Sequence, residues 1–256
     1  MSLFHIFTQM EIDHVAMENA KKDWFKRIGL SFNSFSTESF STYQKRCLDP
    51  ILNSQNIAPP KCKVFKALEK VPFKNVKVVI LGQDPGYQVV KGDFYATGLA
   101  FALNPKVLQR APFSKLHGGR SLRKILLAVS RELCIKLPEA PDTTLETWAE
   151  QGVLLLNAAL TTRPLETGAH QTAWKKFVAA LVLALNSHER PLVFVLTCKA
   201  AKVFLPLISS RHQVFFNYKH PSRCWRIYTT PNCKGKPVDF FRLTRRNKIN
   251  WESVFN

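Results

Sequence analysis

Four short apolar runs limit what this chain can fold into: VKVVILG (76–82), GVLLLN (152–157), LVFVLT (192–197) and QVFFNY (213–218). None alternates polar with apolar residues, as a strand does when one face meets water. Unbroken runs of this length suit strands covered on both faces, which is the habit of parallel sheets. Helical periodicity fills the intervals. In 121–134, Leu122, Ile125, Leu126, Val129 and Leu133 share one face, and in 172–187 Trp174, Phe177, Val178, Leu181, Val182 and Leu185 do the same. TTLE at 143–146 has the form of a capping box for a short helix through 150. Strands alternating with helices imply right-handed crossovers. The expected fold is therefore α/β, a three-layer α/β/α arrangement with a four-stranded central parallel sheet.

The first 46 residues are weakly patterned. A helix is predicted around 14–27, and SFNSFSTESFSTY at 31–43 reads as a loop or linker. Residues 1–46 are thus expected to be an N-terminal extension, partly helical or flexible, with the domain over 47–256. No apolar run reaches eighteen residues, so no membrane span is expected. The opening residues carry acids and lack a basic segment, unlike a secretory signal.

The 37 basic and 18 acidic residues give a formal charge of +19, which points to a polyanionic partner, nucleic acid being the common one. Six cysteines, at 47, 62, 134, 198, 224 and 233, form no C-x-x-C and no zinc spacing with histidine. They read as reduced thiols of an intracellular protein, and no metal or other cofactor is expected.

In an open α/β sheet, ligands bind beyond the carboxyl ends of the strands. Here the first run ends in Gln83-Asp84, the second in Asn157, and the fourth leads to Lys219-His220-Pro221. Singly, each has an ordinary reading: Asp84 a turn residue, Asn157 a strand-end cap, His220 a structural histidine. The topology brings an acid, an amide and an imidazole to one edge, which favours a site.

GQDP (82–85), LLLN (154–157) and HPS (220–222), in this order on these strands, resemble the uracil-DNA glycosylase superfamily, family 1 in particular. GLAF (98–101), RSLRKI (120–125), WAEQGVLLLNAALT (148–161) and INW (249–251) add to the likeness, which covers roughly 57–256. The resemblance implies excision of uracil from DNA with the base flipped out of the stack, initiating base-excision repair. It implies that Asp84 stabilises the oxocarbenium-like sugar and orients a water, while His220 donates to the departing base's O2. Asn157 would read the uracil edge, Phe101 would stack on the base, and Gln83 would line the pocket. Ser121, also readable as a helix N-cap, and Ser222 would hold DNA phosphates. Basic residues interleaved with Trp225 and Tyr228 over 219–248 suit a DNA-contacting loop.

Two departures stand out. The family has Tyr-His after GQDP, its tyrosine excluding thymine at C5; this chain has Gly86-Tyr87, and the loop from Asp84 to Phe101 is longer. Tyr87, Phe94 or Tyr95 could fill the vacant place. After HPS the family's wedge leucine is missing, and the chain continues Arg223-Cys224-Trp225-Arg226, with Trp225 or Arg223 as candidate wedge. The expected function is a monofunctional uracil-DNA glycosylase without cofactor. The alternatives are a catalytically weakened homologue serving as a DNA-binding or replication/processivity subunit, or a glycosylase of altered base range. Single- and double-stranded uracil-containing DNA is the expected partner, with proteinaceous glycosylase inhibitors or replication proteins as further ones. A monomer is expected, in the nucleus (the host nucleus for a viral chain).

Overall fold

A computed structural model describes residues 3–108, 119–217, 219–230, 232 and 235–255, with side chains in the first stretch from His14 to Val107. Seven strands occur among them: β1 (Val78–Gly82), β2 (Val89–Val90), β3 (Asp93–Phe94), β4 (Val153–Asn157), β5 (Val193–Leu196), β6 (Gln213–Asn217) and β7 (Ile227–Tyr228). The main sheet has the order β4-β1-β5-β6-β7. Its first four members are parallel and coincide with the four apolar runs. Every residue of β1, β4 and β5 is buried, as two covered faces require. The sheet has five strands rather than four: β7 pairs antiparallel with β6 through Phe216 with Tyr228 and Asn217 with Ile227. Two residues make too short a run for periodicity to detect.

The helices over Arg120–Leu133 and Gln171–Leu185 bury the faces their spacing foretold, except that Leu133 is only partly covered. The capping box does not form. Leu145, in left-handed conformation at φ 55°, caps the helix over Glu146–Glu150 without a side-chain bond. Glu146 instead pairs with Lys66 at 2.5 Å and Lys70 at 2.8 Å.

The N-terminal segment also departs from expectation. One helix runs from Leu3 to Phe35 and packs along the helix over 171–185. Trp24, Ile28 and Phe32, spaced by four, are fully buried in the same core as the sheet. The Trp24 indole donates to the Val71 carbonyl at 2.8 Å, and Phe25 lies 5.9 Å from Phe177. Phe40 and Tyr43 extend this aromatic layer, and the Tyr43 hydroxyl donates to the Ala173 carbonyl. The described part of the segment before 46 thus shares the core of the sheet. The stretch read as a linker is the end of one helix and a short second one, Phe40–Tyr43.

Candidate active site

Because the four long strands are parallel and in register, their carboxyl ends form one edge. Gly82, the last residue of β1, stands opposite Asn157, the last of β4. A Cβ on Gly82 would lie 2.5 Å from Asn157 Oδ1 and 3.1 Å from Phe101 Cζ. Only glycine lets the amide and the ring close over the strand end. Phe101 itself holds φ 68°, a left-handed conformation costly for an aromatic residue and typical of residues constrained at a site.

Two residues beyond Gly82, the Asp84 carboxylate is held by residues distant in sequence. Gly168 N–H donates to Oδ2 at 2.8 Å and the Gln171 amide to Oδ1 at 3.2 Å. The Gln83 amide donates to Oδ2 at 3.1 Å. The loop that supplies Gly168 and Gln171 is pinned in turn: the Trp174 indole donates to Thr161 Oγ1 at 2.7 Å, and Thr161 Oγ1 contacts His170 Nδ1 at 2.9 Å. Burial pushes the His170 pKa below the ordinary imidazole value, with Arg163 adding to the effect. Sequence reasoning missed Gly168 and Gln171. The one available signal was position, since TGAHQ (167–171) opens the helix that follows β4.

His220 follows β6. Its Nδ1 lies 2.9 Å from Ser222 Oγ and 3.3 Å from the Ser222 N–H. A backbone N–H can only donate, so both contacts are satisfied when Nδ1 accepts, which places the ring proton on Nε2. Although the residue keeps contact with solvent, the ring's partial burial and the nearby Arg223 guanidinium hold its pKa below the usual imidazole range, against the pull of Asp84.

A cleft of about 520 Å³ joins these groups. Its walls include Gln83, Asp84, Gly86, Tyr87, Phe101, Ser121, His220, Ser222 and Arg223, together with Leu99 and Thr167, which sequence reasoning did not single out. Asn157 lines a small adjoining hollow that shares Pro85 and Leu99 with the cleft. Two residues expected to contact DNA do not line this cleft. Trp225 is 3% exposed, its ring stacked on Phe241 at 5.8 Å and 17°. It is a core residue beneath the loop, because the β7 strand that follows pulls it inward. Arg226 is exposed but lines a separate depression with Arg131, Glu132 and Asp239. Of the aromatic candidates for the place beside Gly86, Tyr87 lines the cleft, and the Tyr95 Cβ stands 3.2 Å from where a Gly86 Cβ would be. Phe94 lines a different hollow, with Leu52 and Pro60.

The family model of the uracil-DNA glycosylase superfamily matches residues 69–242. This chain belongs to that superfamily. The uracil-DNA glycosylase of Streptococcus pneumoniae is 36% identical over 198 residues, covering 76% of this chain and 83% of that protein. Uracil-DNA glycosylase 2 of Streptomyces avermitilis is 39% identical over 167 residues, 65% of this chain and 67% of its own. In fold, the chain resembles mimivirus uracil-DNA glycosylase with a TM-score of 0.67 at 23% identity, covering 93% of this chain and 86% of that one. The mimivirus protein carrying the Y322L substitution has been solved in complex with UGI, with a TM-score of 0.67 and 24% identity to this chain. The matched region contains GQDP (82–85), LLLN (154–157) and HPS (220–222), which lie at or just beyond the carboxyl ends of β1, β4 and β6.

Proposed function

We propose that this protein hydrolyses the N-glycosidic bond of uracil in DNA, starting base-excision repair. The observation that carries the reading is the convergence of a braced carboxylate, a buried amide and an aromatic ring on the end of β1. As the C1′–N1 bond breaks, the sugar gains positive character; the Asp84 carboxylate faces it and orients the water whose oxygen bonds to C1′, and takes up the proton that this water loses. The base leaves as an anion. His220, neutral with its proton on Nε2, donates to O2 of that anion. Asn157 offers one donor and one acceptor to the uracil edge, and Phe101 covers the ring face. Ser121, in the first turn of its helix, and Ser222 hold phosphates on either side of the flipped nucleotide. DNA is the partner, the protein acts as a monomer inside the cell, and a proteinaceous glycosylase inhibitor or a replication protein is a further partner.

The test is release of free uracil from single- and double-stranded oligonucleotides in EDTA. Thymine should remain untouched. Tyr87→Ala should add activity on 5-methyluracil, since Tyr87 is the loop aromatic on the cleft wall, whereas Phe94→Ala should leave base range unchanged. No uracil release by folded protein would support a DNA-binding subunit instead. Substantial excision of 5-methyluracil by the unmodified protein would mean that nothing replaces the missing tyrosine at Gly86.

A pH dependence follows from His220. Its folded pKa is lowered, so the ring is neutral at pH 7 and activity falls only as pH drops through a value below the ordinary 6.5. Arg223→Gln removes a cation that disfavours protonation, so the acid limb of the single-turnover rate at saturating substrate should move to higher pH. An acid limb that stays in place would separate it from the His220–Arg223 interaction.

A further inference from the structure

A flipped base leaves a gap in the duplex, and a side chain that enters the gap keeps the base from returning. The leucine that the family places after HPS is absent, and Trp225 is locked in the core. The site that the proposed function rests on therefore needs a filler from elsewhere.

Leu165 has the required properties. It is 77% exposed, the most of any large hydrophobic residue among the described ones. Its turn is tied to the cleft on both sides: Leu165 N–H donates to the Tyr87 carbonyl at 2.9 Å, Thr167 lines the cleft, and Gly168 holds Asp84. The turn is also cross-braced. Glu166 N–H donates to the Arg163 carbonyl at 3.2 Å, the two side chains pair at 2.7 Å, and Thr162 Oγ1 donates to the Glu166 carbonyl at 2.6 Å. Pro164 and then a residue at φ 63° inside a bond from residue 166 to 163 is the pattern of a type II turn, whose third position glycine takes without strain. Here that position carries a leucine, held in left-handed conformation and pointed into solvent, where it gains nothing from folding. A strained, exposed apolar side chain beside a DNA-facing cleft has a use when the solvent is replaced by stacked bases.

We infer that Leu165 enters the DNA stack as the base leaves it, doing from the loop after β4 what the family does from the loop after β6. Arg223, which lines the cleft, is a poorer filler, since its charge is better placed on a phosphate than between bases.

The experiment compares single-turnover uracil release from duplex and from single strands of the same sequence. Leu165→Ala and Leu165→Gly should melt no lower than the parent, the glycine variant relieving strain. Their duplex rate should fall about tenfold while the single-strand rate changes little, and Leu165→Met should restore the duplex rate. A 2-aminopurine beside the uracil should brighten on binding to the parent and less so with Leu165→Ala. Equal duplex-to-single-strand ratios for parent and Leu165→Ala would overturn the assignment. So would a duplex-specific loss from Arg223→Ala alone. Absence of uracil release from single strands by the parent would instead overturn the activity.

Discussion

Asp84→Asn should slow uracil release by about 10²–10³-fold or more, the scale on which loss of one preorganised electrostatic partner of a transition state is felt. The substitution keeps the shape and removes the charge. The carboxylate accepts from Gly168 N–H, the Gln171 amide and the Gln83 amide. Asparagine can keep the bond to Gly168 through its single oxygen, but its own NH₂ must then face an amide donor. A small loss of melting temperature and nearly intact affinity for uracil-containing duplex are therefore expected alongside the rate loss. Single-turnover kinetics with a separate binding titration measures both. A rate within tenfold of the parent would remove Asp84 from the role of stabilising anion.

Trp225→Ala should cost about 3–5 kcal/mol of stability, the range for truncating a large aromatic in a packed core. Trp225 stacks on Phe241 and meets Phe240 edge-on at 6.4 Å. Among the described residues its buried indole nitrogen has no hydrogen-bond partner, and the ring is held by packing. Trp225→Phe should accordingly be much milder than Trp225→Ala. Denaturant unfolding reads the stability of each. Excision, corrected for the folded fraction, should fall equally on single- and double-stranded substrate. A stable alanine variant that fails on duplex alone would return Trp225 to the DNA.

The sheet was legible because its strands are buried on both faces, which leaves apolar runs that nothing else explains. The order of GQDP, LLLN and HPS along those runs carried most of the cleft with it. What could not be read depended on contacts distant in sequence. Two of the partners that hold Asp84 come from 168 and 171, more than eighty residues along the chain. Trp225 lies between Arg223 and Arg226, a context that suggests surface. Its side chain turns inward because Ile227 pairs with Asn217. The N-terminal helix was understated for a related reason. Among its described side chains the buried stripe is Ala20, Trp24, Ile28 and Phe32, set among charged residues, and Ser-rich composition over 31–43 masks the aromatic residues that pack there.

That helix also decides how small a working fragment of this protein can be. The matched family region starts at 69, which invites trimming everything before it. Cutting there would strip Trp24, Ile28, Phe32 and Tyr43 from Phe73, Phe177 and the rest of the aromatic layer, leaving a greasy flank on the helix over Gln171–Leu185. The first turn of that same helix carries Gln171, which steadies the Asp84 carboxylate. The leading segment thus buttresses the element that aims the carboxylate from behind, and a shortened chain would lose solubility and catalytic alignment together.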